Sequence, residues 1–272
     1  MILESKSGRS LEWLGLSPLY SSVNSNIKTQ NKMDNFHKLI EGFHNFKQTY
    51  FLKERQYFES LEKAQNPKTL VVACCDSRVD PAILLHCKPG DLFVIRNVAA
   101  LVPAVTQASN PCSVMSAIEY GVKHLNVEHI VVMGHSHCGG IHGLMAPESI
   151  AGETYIQDWV GIASPALERL QAMTGDEDEK TRSRHCEEGA VLISLDNLLS
   201  YPWIAERVKN GQLKLHALYY DLSEGNLYRF SPESEDFELL FHSEKNRRLR
   251  SIGYRQNGSR PDLSVLKRKE GP

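Results

Sequence analysis

Val71-Val72-Ala73-Cys74-Cys75-Asp76-Ser77-Arg78-Val79-Asp80-Pro81 begins as an apolar, β-branched run and stops abruptly at a thiol. A carboxylate, a hydroxyl and a guanidinium follow at once. A buried strand that delivers reactive side chains at its carboxyl end has this form. The construction returns further along: Ile130-Val131-Val132-Met133-Gly134 is a second buried strand, and it ends in His135-Ser136-His137-Cys138-Gly139-Gly140. If the two strand ends lie side by side, Cys74, His135 and Cys138 converge on one point.

Working outward, Asp80-Pro81 reads as a cap and first-turn proline for a short helix through Leu85. Leu92 to Arg96 is another apolar strand. Ser109-Asn110-Pro111 opens a helix to about Leu125, before the strand at His129–Met133. Strand, helix, strand, helix, strand, with strands apolar throughout, predicts a parallel sheet covered on both faces. Beyond the Gly139-Gly140 turn, helices are expected over 154–173 and 186–199, then a short one to Val208. Strand 213–222 and its antiparallel partner 227–230 turn at Glu224-Gly225-Asn226. The fold class expected is therefore α/β. Its central, mostly parallel β-sheet has four parallel strands plus an antiparallel edge strand, flanked by helices. Upstream, Phe36, Leu39, Ile40, Phe43, Phe46 and Tyr50 recur every three or four residues and predict an amphipathic N-terminal helical arm.

Three segments follow: a flexible extension over 1–32, which a mis-assigned start at Met33 would explain, a single domain over 33–242, and a tail over 243–272. From Glu244 onward the tail carries nine Lys/Arg against three acids and reads as disordered.

The chain has 272 residues, 41% hydrophobic and 24% charged, with a formal net charge of -2. That balance gives no reason to expect nucleic acid as a partner. No apolar run approaches the ~20 residues needed to span a bilayer. Six cysteines at irregular spacing, without an apolar signal segment, predict free thiols in the cytoplasm.

Zinc takes thiolate and imidazole in a tetrahedron, and three protein ligands leave one position open, as catalytic sites do. The chain offers one cysteine from the first strand end and a His-X2-Cys pair from the third. Cys74 and Cys75 are adjacent, so on a strand they face opposite ways. The order Cys-X-Asp-Ser-Arg favours Cys74 as ligand and makes Cys75 a buried thiol. One Zn2+ per chain is expected, on Cys74, His135 and Cys138. Asp76 beside Arg78 has two readings: a carboxylate held ionised by a bidentate pair, or a cap for the helix that follows.

The two motifs Cys74-Cys75-Asp76-Ser77-Arg78 and His135-Ser136-His137-Cys138-Gly139-Gly140 resemble those of the β-class carbonic anhydrases. Gln65-Asn66-Pro67-Lys68, Arg96-Asn97-Val98-Ala99, Glu119-Tyr120 and Ser194-Leu195-Asp196-Asn197-Leu198-Leu199 extend the likeness from about Met33 to about Phe230. The resemblance implies a zinc enzyme that hydrates CO2 to bicarbonate and a proton by zinc-bound hydroxide, oriented by an Asp76–Arg78 dyad. It further implies a substrate pocket from Gln65, Phe93, Tyr120 and Gly139, shared across a subunit boundary in a homodimer or homotetramer. Some members carry an inhibitory bicarbonate site marked by Trp three residues before the first cysteine ligand. Val71 stands there, which implies the kind without that site. Ala100 also departs from the family, which commonly has Asn. Two rival readings are a CS2 or COS hydrolase on the same scaffold, and a non-catalytic protein with a structural zinc closed by Asp76.

Overall fold

The computed structural model describes residues 34–108, 111–172, 175 and 177–240. The expected extension, the helix opening at Ser109-Asn110 and the basic tail lie outside them. The chain divides into two units, Met1–Lys63 and Ala64–Pro272.

In the first unit, α1 (Asn35–Phe46) passes into a π-helical turn at Lys47–Phe51, and α2 (Arg55–Lys63) follows. The Asp34 carboxylate accepts from the His37 N–H at 2.9 Å and caps α1. Phe58 gathers the rings of Phe46, Tyr50 and Phe51, with centroids 4.9–5.8 Å away, and so ties α2 back to α1. Phe36, Leu39, Ile40 and Phe43 stay exposed.

In the second unit, β1 (Thr69–Cys74) is flanked by β2 (Leu92–Asn97) and β3 (His129–His135), all parallel. β4 (Lys214–Asp221) adds in parallel beside β3. β5 (Asn226–Ser231) and β6 (Asp236–Leu239) complete the sheet antiparallel, in the order β2-β1-β3-β4-β5-β6. The sheet is the expected one with a second antiparallel strand added. β6 lies beyond the last expected strand: Phe237 is buried while Asp236 and Glu238 face solvent, the alternation of a half-buried strand.

Alternate residues of β1 feed two cores. Leu70 and Val72 join Ile118, Val122, Ile130 and Val132 on one face. Val71 and Ala73 join Val131 and Met133 on the other. Each fully buried aliphatic side chain contributes about 2 kcal/mol, which fixes the register and hence which residue ends each strand.

The helices are α3 (Pro81–Leu84), α4 (Ser113–Lys123), α5 (Gly139–Met145), α6 (Thr154–Val160), α7 (Ser164–Ala172), α8 (Glu179–Leu199) and α9 (Pro202–Lys209). Three depart from expectation, the first being the helix expected over 154–173, which a 3-10 turn at Gly161–Ala163 breaks into α6 and α7. Gly139-Gly140 starts α5 instead of making a turn. α8 begins at Glu179, well before Cys186, because Asp178 caps it by accepting from the Thr181 N–H at 2.8 Å. No helix among the described residues is long and apolar enough to cross a membrane.

Candidate metal centre

The carboxyl ends of β1 and β3 bring Cys74, His135 and Cys138 together. One ligand atom from each lies within 4.8 Å of the other two. All three residues are buried, at 4%, 2% and 3% exposure. His135 is the last residue of β3, and Cys138 precedes the first turn of α5.

The His135 ring is oriented by its neighbour. Nδ1 lies 2.8 Å from the Ser136 carbonyl, which can only accept, so Nδ1 carries the proton and Nε2 the lone pair. Nε2 is the one buried side-chain nitrogen or oxygen without a hydrogen-bond partner among the described residues. An unsatisfied buried nitrogen costs ~1–3 kcal/mol, and a cation would remove that cost. The donor set, two sulfurs and one imidazole, is the one zinc prefers. Zn–S bonds of about 2.3 Å at a tetrahedral angle hold two sulfurs about 3.8 Å apart, so the cluster fits a zinc ion with little movement.

Two thiols this close do not both ionise unaided. Their mutual interaction favours a single negative charge, held low on Cys74, while Cys138 is pushed up. The Cys74 sulfur also accepts from the backbone N–H of Asp76 at 3.4 Å and of Ala99 at 3.3 Å. Negative charge at that sulfur is therefore prepared by the fold. Cys75 turns the other way, as adjacent strand residues must. It is exposed, not the buried thiol expected, because β1 ends at Cys74 and the next side chain leaves the core.

Asp76 lies at the edge of the cluster, with Oδ2 4.0 Å from His135 Nε2. Arg78 grips it with two side-chain bonds, Nε to Oδ1 at 2.9 Å and Nη2 to Oδ2 at 2.7 Å. That pair holds the Asp76 carboxyl well below the usual carboxylate range. The capping alternative for Asp76 is overturned: Asp80 caps α3, its Oδ1 accepting from Ala82 at 3.0 Å and Ile83 at 3.2 Å. Arg78 Nη2 also reaches the His137 carbonyl at 3.1 Å, tying the two strand ends together.

Arg96 clamps the same loop from β2. It donates to the Cys74 carbonyl at 3.0 Å, the Asp76 carbonyl at 2.7 Å and the Asp80 carboxylate at 3.1 Å. Behind it, Ala99 and Ala100 adopt left-handed φ of 63° and 56°, which Asn tolerates better than Ala. The Asn97 side chain holds this turn by bonding both the N–H and the carbonyl of Leu101. Val71 is fully buried in the sheet core.

Gln65, Phe93 and Tyr120 are not gathered at this cluster within one chain. Phe93 pairs with Leu70 at the amino end of β1, four residues and about 13 Å short of the Asn97–Cys74 pair. Tyr120 stacks on Phe93 with ring centroids 6.0 Å apart, and Gln65 precedes β1 altogether. Gly139 is at the cluster, following Cys138, with open space where a Cβ would project.

Two residues beside the cluster escape the motif reading. Glu187, on α8, accepts the Cys138 N–H at 3.0 Å. Tyr219, on β4, donates its hydroxyl to the other Glu187 oxygen at 2.7 Å. Glu187 belongs to none of the motifs, although Cys186 beside it is buried as a small core residue. The one available signal is that Glu187, Val191, Ser194 and Leu198 share a helical stripe that is otherwise apolar or small.

A family model described as carbonic anhydrase matches residues 69–227. The chloroplastic beta carbonic anhydrase 5 of Arabidopsis thaliana is 40% identical over 196 residues, which are 72% of this chain and 64% of that protein. The chain thus spans just under two thirds of that relative's length. Among solved structures, the beta-carbonic anhydrase CcaA superposes with a TM-score of 0.72 at 31% identity, covering 77% of this chain and 93% of that one. One of two tetrameric beta-carbonic anhydrases from Sordaria macrospora gives 0.62 at 30% identity, covering 72% and 96%.

Proposed function

The chain belongs to the β-class carbonic anhydrases, and from that premise we propose that it catalyses the reversible hydration of CO2 to bicarbonate and a proton. One observation carries the reading. The unpartnered His135 Nε2 faces two buried sulfurs at the place where the fold delivers an ionised carboxylate. Cys74, His135 and Cys138 would hold one Zn2+ ion, which supplies Lewis acidity that lowers the pKa of water.

The other steps belong to the protein's own side chains. Arg78 keeps Asp76 charged, so that its carboxylate can only accept hydrogen bonds. Asp76 therefore orients the attacking water, presenting an oxygen lone pair to the CO2 carbon. The backbone donors to Cys74 and the Glu187 bond to Cys138 hold the sulfurs in place during turnover. Arg96 fixes the Cys74–Asp80 loop that carries both the thiolate and the dyad.

CO2 is small and apolar, so its pocket needs apolar walls and few polar groups. Gln65, Phe93 and Tyr120 supply these in this reading. They stand at the amino ends of the strands and can meet a cluster at the carboxyl ends only from another copy. A homodimer, or a homotetramer built from two dimers, follows. Support comes from the exposed apolar face of α1 and from the tetrameric relative at 30% identity. The six free cysteines are in keeping with a cytoplasmic location.

Metal analysis with stopped-flow CO2 hydration, from mildly acid to alkaline pH, tests the proposal. The expected result is about one zinc per chain and hydration well above the uncatalysed rate. Protein that holds no zinc, or holds it without accelerating hydration while releasing sulfide from COS, would overturn it.

A further inference from the structure

Glu187 stands on a stripe of α8 where packing alone favours an aliphatic residue. Its neighbours one, two and three turns along, Val191, Ser194 and Leu198, are all buried, and Glu187 itself is 5% exposed. Burying a carboxylate costs several kcal/mol unless its oxygens are bonded. Both are: Oε1 accepts the Cys138 N–H at 3.0 Å and Oε2 the Tyr219 hydroxyl at 2.7 Å. Burial raises the Glu187 carboxyl, and these two donors pull against it.

The geometry is directional. Tyr219 is 1% exposed, and its ring is packed against Tyr228 and Phe237, so its hydroxyl is a fixed donor. α8 approaches β3 closely, since a Cβ on Gly134 would lie 2.5 Å from Val191 Cγ2. Both Glu187 oxygens are thus held, and among the described residues the backbone amide it accepts from is that of Cys138. The amide lies in the turn between His135 and α5. Its direction sets where the Cys138 sulfur points.

We propose that Glu187, locked by Tyr219, is a positioning residue for the metal centre: by fixing the Cys138 amide it aims the Cys138 sulfur at the point shared with Cys74 and His135. The inference rests on the zinc reading above. It adds a third layer to the site, carried by α8 and β4, behind the ligands and the Asp76–Arg78 pair. Partners of this kind around metal ligands typically change metal affinity about 10–100-fold when removed.

The test uses the full chain, stripped of metal and titrated with Co2+, reading the sulfur-to-cobalt charge-transfer band and the affinity by chelator competition. Thermal melts run in parallel. Glu187→Leu keeps the bulk and removes the acceptor, and it is expected to weaken cobalt binding about 10–100-fold and to shift the band. Glu187→Gln keeps an acceptor oxygen for the Cys138 N–H and should stay within a few-fold of wild type. Tyr219→Phe should weaken binding several-fold, with the Tm lowered by the lost buried hydrogen bond but the protein still folded. Wild-type affinity and band in Glu187→Leu would overturn the inference. Should that variant not fold, Tyr219→Phe decides at a temperature well below its melt: weaker cobalt binding with a shifted band supports the proposal, and unchanged binding and band overturn it. Wild-type protein that takes up no metal would instead sink the zinc reading and this inference with it.

Discussion

At the scale of single residues, the site separates ligands from the groups that act beside them. The Cys138 side chain offers the cluster one sulfur, so Cys138→Ser should lose bound zinc, which metal analysis after dialysis would show. Asp76 contributes no first-choice ligand while Arg78 holds both its oxygens. Asp76→Ala should therefore keep zinc and lose turnover on the order of 100-fold, the usual scale for a group that orients or relays a proton. Stopped-flow hydration on metal-assayed protein checks this, and full activity in Asp76→Ala would remove the dyad from the mechanism. The convergence of Cys74, His135 and Cys138 and the pairing of Asp76 with Arg78 were legible in sequence because each residue sits where an apolar run stops. Glu187 was not legible. A glutamate pair after a cysteine inside a helix looks like solvated surface, and only the three-dimensional stripe reveals that it points inward. Cys75 failed for a related reason: alternation gives the opposite face, but not whether that face is covered past the last paired residue.

At the scale of elements, α8 is packed against the site's side of the sheet, and its contacts can be tested. Gly134→Ala would drive a Cβ to 2.5 Å from Val191 Cγ2 and force β3 and α8 apart. Overpacking of this kind costs about 1–3 kcal/mol, visible as a lower Tm, and Val191→Ala in the same chain should recover much of the loss. The outer half of α8 carries a charge ladder instead. Glu188, 8% exposed, pairs with Arg184 at 2.8 Å, and Arg184 stacks on Tyr219 and Tyr228. A cavity of about 90 Å³ beside it is lined by Arg169 from α7, His185 from α8, and Glu235 and Asp236 at β6. Burial, reinforced by Asp236 and Glu187, pushes the Glu188 carboxyl from 4.5 up to about 7 against the pull of Arg184. A carboxyl raised in the fold binds its proton more tightly there than in the unfolded chain. Its stabilisation is complete below about pH 4.5 and is lost as pH rises through about 7. The shift sets a ceiling of about 3 kcal/mol. Urea unfolding at pH 5 and pH 8 should show the decline, and Glu188→Gln should flatten it. α8 was legible only from Cys186 onward, because its first two turns are charged and carry no apolar period. β6 was missed because its charges hide a two-residue repeat only four residues long.

At the scale of the molecule, the parallel sheet was readable because uninterrupted apolar strands admit no other architecture, whereas the meeting of separate chains is written in no local period. The structure supplies two facts that bear on assembly. α1 leaves Leu39 and Phe43, one turn apart, 70% and 63% exposed. Of the residues expected to wall the substrate pocket, Gln65, Phe93 and Tyr120 lie toward the opposite end of the sheet from the cysteine and histidine cluster. If a second copy completes the pocket, assembly and turnover must fail together while the metal stays, since all three ligands come from one chain. Leu39→Glu with Phe43→Glu puts two like charges on the apolar face of α1. The expected outcome is a shift from dimer or tetramer to monomer in sedimentation, with zinc retained and CO2 hydration reduced at least tenfold, on the scale seen when site geometry is lost. The wild-type chain sedimenting as an active monomer, or the doubly substituted monomer hydrating CO2 at the wild-type rate, would show that each chain builds its pocket alone.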